Sequence, residues 1–451
     1  MAPKDVLSQG KMPHQKLLRY PFARHHLWIS GFRTETVTAL PSCRATHGAI
    51  PRLPADGEIA MNPNTATAHR RLLALTTLAA VAATFACRPA WSPDSKQVAY
   101  PGRVDGKLAL ATYDVEEQTS KIVLVTAAEK GMAMPHFLAN DDLLVLSSKP
   151  GDNKPLIVTR VPVGATDSKK LPGPFEVSTD DNSADYLVIP PVVVANQLFL
   201  GGKSLTRVDL STGKTLRHKV PDADGDVVLS PRGDGICYVA VRDSDDKSQW
   251  ELGTIDPDTL ATTVLFKAPE STAENPGWKV LPLPSFTKDL KRVALPGERI
   301  ERTSTEQTQT AILVFHEGKL ETVLPLSDQK DQIGVGSLAW GPDNVSLFAV
   351  LARQVDEGQR FSLYETTFSG SVTRETVLID APATTPASSS AVLPALQMQV
   401  ALSPNGKWAA VTTSYVHEWP TQDKALLLVD VSGKERTVKA VPFPKPAKKN
   451  R

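Results

Sequence analysis

Trp91-Ser92-Pro93-Asp94-Ser95-Lys96-Gln97-Val98-Ala99-Tyr100 decides the fold of this chain, because weakened copies of it recur along the sequence. Leu402-Ser403-Pro404-Asn405-Gly406-Lys407-Trp408-Ala409-Ala410-Val411 repeats it near the other end. Leu229-Ser230-Pro231-Arg232-Gly233, Trp340-Gly341-Pro342-Asp343-Asn344 and Phe286-Thr287-Lys288-Asp289-Leu290-Lys291 are looser copies between them. Each reads as strand, tight turn, strand. Proline presets φ near −65° in the turn, and the Asp or Asn beside it bonds to nearby backbone. A bulky apolar residue precedes each turn, and an apolar run such as Val98-Ala99-Tyr100 or Leu347-Phe348-Ala349-Val350 follows it. Short apolar runs bounded by turn residues are the signature of buried strands.

A second hairpin completes each unit. Leu108–Asp114, Ser204–Leu210 and Ala425–Val431 supply its first strand, and Lys121–Leu124 or Glu321–Leu324 a short last strand. Four strands per unit is the content of one propeller blade. Units begin near residues 88, 134, 190, 226, 283, 336 and 398. The expectation is therefore an all-β β-propeller of seven four-stranded blades. Six or eight stay open, because the second and third units lack the Ser-Pro-Asp core. A two-sheet sandwich would also be punctuated by turns, but a sandwich closes in about 100 residues. How the ring closes is open as well: the first unit starts almost at Cys87, and the last owns all four strands. Val441–Pro444 would be an edge strand limited by Pro442 and Pro444.

The Trp-Ser-Pro-Asp-x-Lys pattern with its following apolar strand resembles the TolB-type, WD-repeat-like propeller repeat of bacterial envelope proteins, over nearly the whole chain after residue 87. The resemblance implies an exported, non-enzymatic propeller that binds a protein or peptide partner in the cell envelope. Proteins of the TolB type also carry an N-terminal α/β domain, and prolyl-oligopeptidase relatives carry a hydrolase domain. The expectation for this chain is a propeller without either domain. The alternative the resemblance allows is a propeller enzyme or carbohydrate-binding protein acting at the central channel, like polysaccharide lyases that use channel histidines with a metal.

Arg70-Arg71 followed by the uncharged, mostly apolar Leu72–Ala86 and then Cys87 reads as a secretory signal peptide. Met61 stands at the right distance before it to start translation. The chain thus divides into a leader (1–60) outside the fold, a signal segment (61–87), the propeller (88–441) and a disordered basic tail (442–451). Thr84-Phe85-Ala86-Cys87 resembles a lipoprotein signal, with Thr and Phe where Leu and a small residue are usual. Lipidation of Cys87 and ordinary cleavage near Ala86 both fit. Cys237 is the one cysteine inside the expected propeller, so no disulfide framework holds it. Lys and Arg total 50 against 49 Asp and Glu. The basic excess lies ahead of Cys87, and a mildly acidic remainder has no electrostatic case for nucleic acid.

No catalytic motif stands out, so no catalytic, cofactor or metal residues are assigned, and a monomer is expected. There is no Gly-x-Ser-x-Gly elbow. His316-Glu317 and His417-Glu418 each lack a second histidine for zinc. Gly201-Gly202-Lys203-Ser204 resembles the end of a phosphate loop but reads better as a hairpin turn. Asp222, Asp224 and Asp226 offer oxygens for Ca²⁺, yet no Glu follows at the twelfth position. Asp180, Asp181 and Asp185, and Asp243, Asp245 and Asp246, likewise read as solvated turns. Trp250, Trp278 and Trp419 are not blade anchors and are expected on loops at the rim, either packed over a loop base, the favoured reading, or exposed for a protein or glycan interface. Of His136, His218, His316 and His417, His136 lies beside the anchor of the second unit, where an innermost strand would face the channel.

Two outcomes test this reading of the N-terminal region. Peptide mapping of the native protein should find nothing upstream of Met61. If Cys87 is lipidated, the protein partitions into detergent and Cys87→Ser abolishes that; partitioning unchanged in the variant excludes the lipid.

Overall fold

The computed structural model describes residues 88–126, 133–148, 156–163, 175–177, 192–194, 196–201, 204–218, 227–232, 235–243, 248–268, 277–280, 284–289, 291–302, 306–326, 333–355, 358–368, 373–382, 398–412 and 425–446. The leader, the signal segment with Cys87, and the acidic stretches at 180–185 and 222–226 lie outside them.

Among the described residues every regular element is a strand, and every pairing is antiparallel. Blade 1 holds β1 (Ala90–Trp91), β2 (Gln97–Val104), β3 (Lys107–Asp114) and β4 (Thr119–Val125). Blade 2 holds β5 (Ala133–Ala139), β6 (Asp142–Ser148), β7 (Leu156–Pro162) and β8 (Phe175–Val177). Blade 3 holds β9 (Val192–Val194), β10 (Gln197–Leu200), β11 (Leu205–Asp209) and β12 (Thr215–His218). Blade 4 holds β13 (Val227–Arg232), β14 (Gly235–Asp243), β15 (Ser248–Ile255) and β16 (Thr262–Lys267). In blade 5 the first strand is broken into β17 (Lys279–Val280) and β18 (Ser285–Phe286), both paired to β19 (Arg292–Arg302), which continues to β20 (Glu306–His316) and β21 (Lys319–Pro325). Blade 6 holds β22 (Ile333–Trp340), β23 (Ser346–Val355), β24 (Gly358–Thr367) and β25 (Thr373–Pro382). Blade 7 holds β26 (Gln399–Leu402), β27 (Trp408–Thr412), β28 (Leu426–Asp430) and β29 (Val438–Val441). Each blade pairs in sequence order, and the first strands touch between all adjacent blades but the second and third, which makes them the inner strands of a seven-bladed propeller.

The repeated turn is held by its own side chains. Ser92 Oγ accepts the Gln97 amide at 2.9 Å and donates to Asp94 Oδ1 at 2.7 Å, while Asp94 accepts the Lys96 amide. Ser403, Asn405, Lys407 and Trp408 repeat this arrangement atom for atom. In blade 6 the serine position is Gly341, and the hydroxyl moves across the turn to Ser346, which donates to Asp343. A Cβ on Gly341 would lie 2.7 Å from the Asp343 carboxylate, so this rearranged turn leaves no room for one. The fourth turn residue is left-handed at Ser95 (φ 64°), Asn344 (57°) and Gly406 (69°). Glycine would be the unstrained choice. Ser95 is retained because its hydroxyl accepts the Asn405 amide of blade 7 at 3.0 Å.

That bond belongs to a set running from blade to blade. The anchor indoles donate backwards: Trp91 Nε1 to the Ala401 carbonyl of blade 7 at 3.0 Å, and Trp340 Nε1 to the Ser285 carbonyl of blade 5 at 2.9 Å. Asn140 of blade 2 caps the Asp94 amide of blade 1, and Asn344 of blade 6 caps Lys288 of blade 5. Arg436 of blade 7 forks onto Glu365 of blade 6 with side chains 8% and 12% exposed. Buried pairs of this geometry hold position more than they add stability.

Apolar packing follows the same plan. Seven buried clusters form, and each is shared by two neighbouring blades. The cluster between blades 7 and 1 joins Trp91, Val98 and Tyr100 to Leu426, Leu428, Val441 and Phe443. Both terminal blades are built from contiguous sequence, so the ring closes by side-chain packing without exchanging a strand. Val441 ends the outermost strand of blade 7, and Phe443 beyond it inserts against Tyr100, ring centroids 5.6 Å apart. The Tyr100 hydroxyl donates to the Pro442 carbonyl, and burial pushes this phenol up to about 12. Lys439 Nζ reaches Tyr113 at 2.7 Å and Gln118 at 2.8 Å across the same seam.

Outer strands face a different problem, because their free edges invite pairing with other chains. Blades 1, 4, 5 and 6 each place a β-bulge in the outermost strand, at Val123, Leu265, Glu321 and Leu378. Bulges twist an edge out of register with any incoming strand.

The seam gives a test. Phe443→Ala should cost about 3–5 kcal/mol as a buried aromatic deletion. A Cβ on Gly102 would stand 2.0 Å from the Phe443 ring, so Gly102→Ala should cost about 1–3 kcal/mol alone and much less beside Phe443→Ala. Denaturant titration of both single variants and the double variant reads the coupling; strictly additive costs would mean that Phe443 does not pack there.

Candidate functional site

The sheet order divides the connections between two ends of the ring. Links from first to second strand and from third to fourth strand emerge at one end, which carries the repeated turns. They are short in most blades, as at 92–96, 317–318 and 403–407, with 163–174 the one long exception. Asp209 and Asp256 close two of them by accepting backbone amides, which holds both carboxyls below their usual range. The opposite end carries second-to-third strand links and blade-to-blade links of very unequal length. Between second and third strands they run from 105–106 in blade 1 to 413–425 in blade 7; between blades they reach 178–191 and 383–398. Chain variation on a rigid scaffold is where binding function usually sits.

At this unequal end the inner strands begin. Three residues before each anchor, blade 1 carries Arg88, blade 6 Ser337 and blade 7 Gln399, with Met134 in blade 2. Ser337 and Gln399 are buried, and Ser337 Oγ accepts the Val400 amide at 2.6 Å. Arg88 is half-buried and has neither hydrogen bond nor ion pair among the described residues. Burial alone pulls its pKa down, with no carboxylate acting against it. His136 sits on the neighbouring inner strand β5. Burial first, and then the Arg88 guanidinium, push its imidazole down to about 4.

The other sequence candidates do not converge. His218 ends the outer strand of blade 3, and His316 ends β20 at the repeated-turn end, where Glu317 and Gly318 turn with positive φ. Among the described residues no group of three His, Cys, Asp or Glu is placed to hold a metal. His417, Glu418, Trp419 and the acidic stretches lie outside them. Trp250 is a correction to the expectation of a rim loop: it lies within β15, 5% exposed, tilted against Phe266 and edge-to-face with Phe315. The apolar alternation of Ser248–Ile255 carried that signal, and the missing turn motif hid it. Trp278 is half-buried and accepts the Trp250 indole N–H through its carbonyl. Gly201 and Ser204 bound the β10–β11 hairpin, as read from the sequence, and Cys237 is buried in β14. Arg88 was missed because a single charge beside Cys87 reads as a cleavage-site flank.

A cavity of about 90 Å³ lies between blades 1 and 2, lined by Gln97, Thr112, Asp114, Glu117, Thr119, Lys121, Val123 and Val163. Ligand pockets run to roughly 300–1,000 Å³, so this one suits a few waters at most. One of them would satisfy Gln97 Oε1, which is buried without a partner.

No protein-family model matches the chain, and no curated protein is similar to it in sequence. Solved structures similar to it include TolB from Acinetobacter baumannii, at 16% identity over 65% of this chain and 54% of that one, with a TM-score of 0.33. The chain thus spans about half of that protein. An oligogalacturonate lyase in complex with manganese is similar at 14% identity over 78% of this chain and 75% of that one, TM-score 0.38. The β-propeller domain of the Trilobed protease from Pyrococcus furiosus, described as having an open velcro topology, is similar at 10% identity over 80% and 97%, TM-score 0.45. These likenesses are distant and extend to no function.

The depressed His136 value sets a pH dependence. Its folded value, about 4, lies below the reference 6.5 of an exposed imidazole, so the unfolded chain binds the proton more readily between the two. Stability from this group is complete above pH 6.5 and is lost as pH falls towards 4, by up to about 3 kcal/mol. Thermal melting from pH 7.5 to 4 should therefore fall more steeply for the wild type than for His136→Asn. Parallel curves would show that His136 is exposed to solvent.

Proposed function

We propose that this chain is an exported, non-enzymatic β-propeller of the cell envelope, of the TolB-type repeat, that binds a protein or peptide partner. The observation that carries the reading is the asymmetry between the two ends of the ring. One end is tied off by short self-bonded turns, and connections of unequal length leave the strands at the other. A rigid ring with one diversified end is suited to recognition. Export is supported by the signal-like segment 61–87, which directly precedes the first blade. Lipidation of Cys87 and ordinary cleavage near Ala86 are both compatible with the same proposal.

The competing reading is a channel enzyme or carbohydrate-binding protein that uses His136 with a metal. The place of His136 works against it, because it pairs with Leu144 and shares the face that Met134, Leu144 and Leu146 bury against blade 3. Partner binding is favoured on that ground.

Crosslinking in intact cells followed by affinity capture tests the proposal. Replacing 413–425 with a Gly-Ser linker of equal length should remove the captured partner, while substitutions in the repeated-turn end, such as Lys407→Ser, should leave it. Equal capture by both variants, or nothing above an unrelated propeller, would overturn it.

A further inference from the structure

We propose that the cavity between blades 1 and 2 is a calcium site, built on one face of blade 1 at the repeated-turn end. It is independent of the partner-binding reading and uses no residue of the channel.

The strand register gathers the site. Ala99 and Leu110 pack on blade 2 against Phe137, Leu143 and Val145, which fixes the face of blade 1 that looks that way. Gln97 lies two residues from Ala99, and Thr112 and Asp114 lie two and four from Leu110, so all three share that face. Across the sheet, Asp114 stands opposite Gln97 on β2 and Thr119 on β4, and Thr112 stands opposite Lys121. Cross-strand partners point the same way. With Glu117 from the β3–β4 turn and Val163 of blade 2, these side chains surround one space of about 90 Å³. Room for a few waters is also room for a metal ion with part of its water shell.

The lining brings oxygen and neither sulfur nor imidazole. Gln97 Oε1 is buried without a hydrogen-bond partner. Thr112, 5% exposed, makes no side-chain hydrogen bond among the described residues. Buried oxygens left bare on one cavity call for something that completes them. Asp114 commits Oδ1 to the Glu116 and Glu117 amides at 3.0 and 2.8 Å and leaves Oδ2 uncommitted. Thr119 Oγ1 donates to Glu117 Oε2 at 3.4 Å. Carboxylates mixed with an amide oxygen and hydroxyls suit Ca²⁺, which takes about six to eight oxygens in flexible geometry and completes its shell with water. Mg²⁺ demands a near-ideal octahedron, which donors fixed on three strands do not offer. Two carboxylates face one ammonium, the exposed Lys121, so the lining keeps a negative charge but a small one. A weak site follows.

Calorimetric titration of the full chain with CaCl2 tests the site. The wild type should bind one Ca²⁺ with half-saturation between about 0.1 and 1 mM, and MgCl2 should bind more weakly. A unit charge about 6 Å from a divalent ion is worth about tenfold in affinity even in water. Glu117→Gln, on an exposed turn, should therefore weaken binding roughly tenfold, and Lys121→Gln should tighten it roughly tenfold. Gln97→Leu, which removes the bare oxygen, should lose binding. Equal half-saturation in wild type and Glu117→Gln, no tightening in Lys121→Gln, or binding retained in Gln97→Leu would each overturn the proposal. So would Mg²⁺ bound as tightly as Ca²⁺, or no heat at about 10 mM CaCl2.

Discussion

Each blade is a thin sheet apolar on both faces, and neither face can be buried by its own chain segment. Everything else follows from that. A sheet with two dry faces needs a neighbour on each side, and the only arrangement that supplies one to every blade, first and last included, is a closed ring. The buried clusters express this: none belongs to a single blade, and the one that joins blades 7 and 1 is as extensive as the others. Closure therefore needs no exchanged strand. It needs Trp91, Tyr100 and Gly102 on one side to be complementary to Val441 and Phe443 on the other.

Polar groups at the blade interfaces fix register where apolar contact cannot. An indole N–H pointing at the previous blade's carbonyl, or a turn asparagine capping the previous blade's amide, permits one vertical offset between neighbouring sheets. Arg436 on Glu365 acts in the same way nearer the rim. These bonds explain departures from the repeat that look like decay in the sequence. Ser95 occupies a left-handed position at some backbone cost because its hydroxyl meets blade 7. Gly341 replaces serine where Ser346 supplies the hydroxyl from the far side of the turn.

Much of the architecture was legible in the residues. The anchor-turn-strand pattern predicted the seven blades, the second hairpins and the weak third blade carried by Val192–Val194 and Gln197–Leu200. Trp250 shows where that reading failed. A tryptophan away from the motif was assigned to a loop, whereas it fills the space between blades 4 and 5. The repeat records turns well, because turn geometry demands particular residues. It records third-strand packing poorly, because any large apolar side chain serves there.

Sequence by itself determined the repeat of four-stranded sheets, the turn chemistry and the export-like segment ahead of the first blade, since each depends on residues near one another in the chain, while six, seven or eight blades fitted it. Tertiary structure alone decided how the ring closes and which polar residues share the channel mouth. Arg88 and His136 belong to different blades, and nothing local to either predicts the other. Pairing with Leu144 turns His136 to the face of blade 2 that packs on blade 3, whereas Ala90 beside Arg88 packs on the opposite face, and only the register of the sheets reveals that separation.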